Sequence, residues 1–302
     1  MLIKSTGLLV LGFISWQTLV AQDDDLSKLL ETTPAKERVI ATFKTTRLVN
    51  ANTIEQVKNG ELDFRVAHRF DDIGGKAGGV TTLYGLDNVV DIRISFDYGI
   101  TDRWSIGFGR SKGGYEQRQI LDFNTKGKLK IQEDHGFPFS ISVFEAATVT
   151  TMKSVSDETS ANYFARVGDR VSYISQLILA RKFNNWLSLE LLPTYVHRNK
   201  VAYNDYNGVF ALGVGGRIKF SKRSAIIFDY YQVFNDYMVK KNGFYPPIGI
   251  GYEVETGGHV FHLLFSNTRS LLDGQYITQT KENPSIGQIR FGFNISRVFN
   301  LK

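Results

Sequence analysis

The sequence predicts an all-β fold, a membrane-spanning antiparallel up-and-down β-barrel of about 12 strands (12–14). One observation is a recurring pattern of two alternating strands joined by a short polar turn, as in residues 91–98, 101–103 and 104–109. Another is that each such strand carries apolar side chains on one face and polar side chains or glycine on the other. Because a sheet edge finds no hydrogen-bond partner in lipid, these strands are expected to close into a barrel.

The N-terminal residues predict secretion. A lysine, a short apolar run at residues 8–14 and a small residue, Ala21, precede an acidic stretch, which is the pattern of a signal peptide over residues 1–21. Residues 22–38 are then predicted to be a periplasmic segment, and residues 39–302 the barrel. A secreted barrel is expected in the outer membrane of a Gram-negative bacterium, with outer-membrane lipid and the barrel-insertion machinery as partners.

Composition excludes several classes of function. The chain has no cysteine, so it forms neither disulfides nor thiolate metal sites. Its net charge is +6, and the basic residues are interleaved with acidic ones, which argues against a nucleic-acid partner. Nothing in the sequence points to a bound cofactor.

The connections between strands predict how the barrel is oriented. Short turns such as 184–185 and 221–223 are expected in the periplasm, and long segments such as 152–169 and 267–285 outside the cell. Residues 39–49 have strand composition but ambiguous facing, so they are either a first strand or a segment across the periplasmic mouth. The chain has no room for a plug domain of the kind that accompanies ~22 strands.

Several phrases of the sequence together resemble an uncharacterised family of bacterial outer-membrane β-barrel proteins, a domain of unknown function. They are residues 41–50, 84–88, 97–104, 180–184, 192–199, 255–261 and 291–299. The resemblance extends over nearly the whole predicted mature chain. It implies an outer-membrane barrel and supplies no catalytic or binding residue.

Charged residues on the polar faces of the strands are the candidate lumen lining. They are Asp63, Arg65, Arg69, Asp91, Arg93, Asp97, Glu190, Arg217, Lys219, Asp229, Glu253 and Arg290. One interpretation is a lattice of ion pairs that fills a narrow barrel, which the mixed signs favour. The other is a selective lining, in which Arg65, Arg93, Arg217 and Arg290 would favour anions if no carboxylate faced them.

The leading functional prediction is a narrow, porin-like channel or solute-uptake barrel with a charge-lined lumen, taking a small solute. The alternative is a closed structural or docking barrel for a periplasmic or surface complex, with a periplasmic protein as partner. Whether a water path survives between the inward charges separates the two.

No enzymatic activity is predicted. Ser111 lies in a G-x-S-x-G pattern, but that motif requires a strand-to-helix turn, and the residues that follow have no helical period. An outer-membrane lipase is a remote alternative, which loss of activity in Ser111→Ala would reveal. His259 and His262 are three residues apart, on opposite faces of a strand, so no metal site is predicted.

Overall fold

The computed structural model describes residues 37–75, 77–238 and 242–302. The signal peptide predicted at residues 1–21 lies outside the described residues. The strands are, in chain order, β1 Glu61–Asp72, β2 Val89–Gly99, β3 Trp104–Ser111, β4 Ile120–Lys130, β5 Ser140–Thr150, β6 Val171–Lys182, β7 Leu187–Arg198, β8 Gly208–Lys219, β9 Ser224–Phe234, β10 Ile248–Thr256, β11 His259–Ser266 and β12 Arg290–Asn300. Each strand pairs antiparallel with its neighbours in sequence, and β1 pairs with β12 to close the barrel. The predicted barrel of about 12 strands is confirmed.

Alternation of side chains gives the barrel its two faces. In β2, Asp91, Arg93 and Ser95 are buried, whereas Ile94 and Phe96, which alternate with them, are exposed on the outside. Successive side chains of a strand point to opposite sides of the sheet, so the period of two in the sequence becomes an apolar outer wall and a polar inner one.

The up-and-down order places the connections at two ends. Both the chain that enters β1 and the C-terminus after β12 lie at the end that carries the short turns β2–β3, β6–β7, β8–β9 and β10–β11. We call this the short-turn end and the opposite one the long-loop end. The β4–β5 connection, residues 131–139, also lies at the short-turn end and is the longest link there.

Residues 41–57 form a hairpin inside the barrel, which we call the lumen hairpin. The Val39 amide bonds to the carbonyl of Gln132 in the β4–β5 turn, and Gly60 bonds to Gly99 at the base of β2, so the hairpin enters and leaves at the short-turn end. The Leu48 amide donates to the carbonyl of Ala51 at 2.9 Å, which closes the tip. Of the two interpretations of residues 39–49, the first strand does not form, since β1 begins at Glu61, and the segment passes beyond the mouth into the lumen.

A second segment fills the barrel from the long-loop end. The β11–β12 connection, residues 267–289, carries a short helix, α1, Asp273–Gln279. Every residue of α1 except its last is buried, and the helix packs against β6, β7 and β9. The prediction that residues 267–285 form an outer loop is wrong for this part, because α1 lies within the barrel. Within the described ranges, no helix is both long and apolar enough to cross a bilayer.

The lumen contains a hydrophobic core between the two inserted segments and one side of the wall. Leu48, Val49 and Ile54 of the lumen hairpin are 1–2% exposed and belong to one cluster with inward residues of β6–β9 and with α1. In β6 the inward residues Ile174 and Ile178 are apolar and flank the buried Gln176, so the inner face of this strand is largely apolar. The apolar part of the inner wall lies mainly on β6–β9, and these strands also carry the predicted charges Glu190, Arg217, Lys219 and Asp229.

Candidate functional site

The predicted lining residues lie in the barrel interior or on the same strand faces as their buried neighbours. The buried ones are Asp63, Arg65, Arg69, Asp91, Arg93, Glu190, Asp229, Glu253 and Arg290. Asp97, Arg217 and Lys219 are half-buried. The alternation of each strand explains this placement. Their role as the lining of a solute path stays a prediction.

The four arginines that would have favoured anions all have a carboxylate beside them. The contacts are Arg65 with Asp63 at 3.1 Å, Arg93 with Asp122 at 2.6 Å, Arg217 with Glu253 at 2.8 Å and Arg290 with Asp72 at 2.7 Å. Each pair cancels most of its own field. The arrangement is the ion-pair lattice, and it gives no ground for anion preference from these arginines.

Asp229 of β9 holds the tip of the lumen hairpin. Its Oδ2 accepts hydrogen bonds from the backbone amides of Asn50, at 2.6 Å, and Ala51, at 2.9 Å. Its Oδ1 accepts a third from the side-chain amide of Asn50, at 3.0 Å. Asp229 is 1% exposed, so these donors replace the water that an isolated carboxylate would require.

Nearby strands on the same side of the barrel supply donors to the same tip. Nη2 of Arg69, on β1, donates to the Val49 carbonyl at 2.8 Å and to Oδ1 of Asn50 at 3.1 Å. Thr268, just after β11, donates its hydroxyl to the same Oδ1 at 3.1 Å. Asp229, Arg69, Ser266 and Thr268 together surround Asn50, and we call these four residues the tip cup.

Asp91 of β2 holds the second inserted segment in the same way. One of its carboxylate oxygens accepts from the Leu271 amide at 2.9 Å, and the other accepts from the Gly113 amide at 2.9 Å and the Ser111 hydroxyl at 2.7 Å. A single inward carboxylate thus joins the wall, the β3–β4 connection and the segment that leads into α1.

The two inserted segments meet near the middle of the barrel. Nη2 of Arg47, in the lumen hairpin, donates to Oδ2 of Asp273 in α1 at 2.8 Å, and the Asn52 side chain donates to Oδ1 at 3.1 Å. The Tyr276 hydroxyl also donates to Oδ1, at 3.0 Å. Asp273 therefore links the lumen hairpin to α1 through two hydrogen bonds.

Lys126 of β4 fixes the outgoing arm of the lumen hairpin. Its Nζ donates to the carbonyls of Thr53, at 3.1 Å, and Glu55, at 2.9 Å. The side chain of Gln56 extends this contact by donating to the hydroxyl of Ser105 at 2.7 Å. The hairpin is therefore attached to the wall at its tip and along its return.

Little free volume remains beside the inserted segments. Two cavities flank the hairpin, one lined by residues that include Arg47, Asp97 and Lys126, the other by residues that include Val49 and Leu271. Each has a volume of about 10 Å³, room for about one water molecule. The part of the lumen that these residues line is therefore too small for a solute.

The serine of the hydrolase-like motif is bonded to an inward carboxylate of the wall. Ser111 is the last residue of β3, is fully buried, and donates its hydroxyl to Asp91. His262 contacts Glu253, with 3.2 Å between Nε2 and Oε2, and takes no part in a triad with Ser111. Among the described residues, no group of three or more histidine or acidic side chains could hold a metal ion.

Asp122 and Lys126 were missed among the predicted lining residues. Both are buried on β4, in a part of the sequence where strand limits were hard to place. The alternation of Leu121 and Phe123 around Asp122 was the available signal. The lumen hairpin gave no comparable signal, because its apolar residues read as strand composition.

Comparison with solved structures finds membrane barrels at low similarity. The chain is similar to the NanC porin, with 9% identity, 78% of this chain and 98% of that chain covered, and a TM-score of 0.47. It is also similar to the KdgM porin, with 10% identity and a TM-score of 0.47. That alignment covers 79% of this chain and 99% of that chain. A third similar structure is the COG4313 outer membrane channel from Pseudomonas putida F1, with 13% identity and a TM-score of 0.47. That alignment covers 82% of this chain and 98% of that chain. Similarities at this level carry no inference about function.

No curated protein matches the chain. A family model does match, over residues 43–299, which begins inside the lumen hairpin and ends near the last residue of β12. The match thus takes in both the barrel wall and the hairpin that fills it. This agrees with the resemblance of the sequence phrases, and the chain belongs to the family described as Membrane bound beta barrel domain (DUF5777).

Proposed function

We propose that this protein is an outer-membrane channel for small polar solutes, closed in the present state by the lumen hairpin and α1. The observation that supports this proposal most is that separate chain segments, and not only side chains of the wall, fill the lumen. The two ends of the hairpin lie together at the short-turn end. The hairpin can therefore leave the barrel toward that side without any strand of the wall being broken.

The wall is shaped to receive the hairpin. A Cβ atom on Gly249 of β10 would lie 2.5 Å from Cγ1 of Val49, and one on Gly215 of β8 would lie 2.7 Å from Cδ1 of Leu48. At these places only glycine lets the hairpin approach so closely. Without the hairpin, the same glycines would leave space along the lumen, bordered by the paired charges.

A closed docking barrel is the second candidate. The arginine–carboxylate pairs and the hydrophobic core in the lumen favour it, because both stabilise the closed arrangement. In that case the hairpin would be a permanent part of the fold, and the partner would bind at one of the barrel ends.

A reversible lock on the hairpin distinguishes the two candidates. In this cysteine-free chain we would introduce Val49→Cys with Gly249→Cys. The Cβ of Val49 lies 2.9 Å from the position that a Cβ of residue 249 would take. Disulfides have Cβ atoms about 3.5–4.5 Å apart, so a small shift of the flexible tip suffices.

Planar-bilayer conductance is the measurement. If the protein is a channel, the reduced double variant should show conductance openings, oxidation should abolish them, and a reductant should restore them. The Gly249→Cys single variant is the matched control and should not respond to oxidation. If reduced and wild-type barrels of verified fold stay silent through repeated reconstitutions, the docking candidate replaces the channel.

A further inference from the structure

The tip of the lumen hairpin is bound to the wall as a peptide ligand would be. Asp229 accepts from two consecutive backbone amides, those of Asn50 and Ala51, and Arg69 donates to the carbonyl of Val49. A buried carboxylate and a buried guanidinium thus satisfy two consecutive backbone amides and the carbonyl that precedes them. Hydrogen bonds to charged groups are among the stronger ones in proteins.

The side chain of Asn50 fills a socket that satisfies its whole carboxamide. Its Oδ1 accepts from Arg69 and Thr268, both at 3.1 Å, and its Nδ2 donates to Asp229 at 3.0 Å and Ser266 at 3.3 Å. A carboxamide has two acceptor and two donor positions, and all are used here. Asn50 is 4% exposed, so an unfilled socket would leave buried polar groups unsatisfied.

We propose that the tip cup is a binding site for short peptides that carry an asparagine-type carboxamide, and that the hairpin closes the barrel by occupying this site. The inference rests on the proposed function, since a solute reaches the cup only after the hairpin has left. The residues of the tip cup lie on β1, β9 and β11 and, for Thr268, two positions after β11. None of them belongs to the hairpin, so they remain in place when the hairpin leaves. It would then present Asp229 and Arg69 to any solute that passes.

The test uses full-length protein whose hairpin tip is displaced. Asn50→Pro removes both the carboxamide and one of the amide donors while leaving every residue of the tip cup unchanged. The probe is the fluorescently labelled peptide acetyl-Leu-Val-Asn-Ala-amide, whose binding to folded barrel in detergent is measured by anisotropy. The matched control peptide is N-methylated at its Asn and Ala amides, which removes the two donors that Asp229 accepts.

We expect the peptide to bind Asn50→Pro at least about tenfold more tightly than wild type, where the hairpin competes. N-methylation of the peptide, or Asp229→Asn added to the barrel, should each weaken binding by about tenfold. Equal binding of the two peptides would overturn the inference. So would the absence of peptide binding to a barrel from which the hairpin tip has been released.

A second variant and a second measurement protect this conclusion. Val49→Asp evicts the tip by placing a charge against β10, and hydrogen exchange over residues 41–57 verifies release in either variant. Conductance of the same variants tests the channel separately. A released barrel that conducts without binding peptide keeps the channel and rejects the peptide site, whereas a barrel that neither conducts nor binds rejects both.

Discussion

At the scale of single residues, inward carboxylates act on backbone amides of the inserted segments as well as on arginines. Asp229 binds the hairpin tip through three hydrogen bonds. Asp91 accepts the Leu271 amide of the segment before α1 and also bonds to Ser111 and Gly113 beside the wall. A lumen charge of this kind stabilises the closed state directly. Removing it should therefore loosen one inserted segment and leave the wall intact.

Asp229→Ala should release the hairpin tip. The substitution leaves the buried amides of Asn50 and Ala51 without an acceptor, at a cost of about 1–3 kcal/mol for each. Hydrogen exchange of a peptide covering residues 48–54 should speed up by at least about tenfold, while exchange in β9 stays slow. The matched control is Asp97→Ala, because Asp97 accepts from Asn124 rather than from the tip. Equal acceleration in both variants would contradict this role of Asp229.

At the scale of elements, the lumen hairpin and α1 come from opposite ends of the barrel, and their polar contact centres on Asp273, which accepts from Arg47 and Asn52. Arg47 and Asp273 are 13% and 6% exposed in their side chains and lie 2.8 Å apart. Since the two segments are anchored to the wall separately, this contact is where movement of one segment can affect the other. Displacement of α1 from outside would thus weaken the hold on the hairpin.

A double-mutant cycle on Arg47→Met and Asp273→Asn should reveal this coupling. Removing one partner of a buried ion pair costs about 3–5 kcal/mol, because the remaining charge has no counterpart. Each single variant should therefore speed hydrogen exchange in both the hairpin and α1, and the double variant should recover part of the loss. Strictly additive effects would show that the segments are held independently.

The outer face of the wall gives a prediction for the strands. Ile94 lies midway along β2 and is 43% exposed on the outside of the barrel. Ile94→Arg should impair folding into lipid vesicles by about 2–4 kcal/mol, since it places a charge near the bilayer midplane. Ile94→Leu is the control and should fold normally. A normal yield of folded Ile94→Arg would place this face away from lipid.

At the scale of the whole molecule, the orientation of the barrel decides which side controls the hairpin. We infer that the short-turn end faces the periplasm and the long-loop end the exterior. The hairpin would then be reached from the periplasm, and α1 from outside. A signal at either side could act on the same closure.

Cysteine labelling of whole cells tests this orientation. Val155→Cys and Tyr203→Cys lie in exposed parts of two long loops, 44% and 91% exposed. Both should react with an impermeant maleimide, whereas Lys222→Cys in the β8–β9 turn should react only after the cells are opened. Labelling of Lys222→Cys alone on intact cells would show the opposite orientation.

The sequence by itself determined the wall of this protein. Strands such as β2 and β12 were predictable because a period of two is a local property, and a bilayer demands apolar residues on one face and closure of the sheet. The same alternation indicated that Asp91, Arg93 and Asp229 would face inward. None of these inferences needed knowledge of which residues meet across the lumen.

The tertiary structure alone decided what fills the wall. Asn50 and Asp229 are 179 positions apart in sequence, and they meet only because the closed barrel brings β9 to the hairpin tip. The apolar residues around Leu48 have the composition of a strand, since a segment buried against apolar residues of the wall requires the same residue types as a strand. Whether an inward charge meets water, an arginine or a backbone amide depends on that filling, so the closed lumen could not be read from the pattern of the strands.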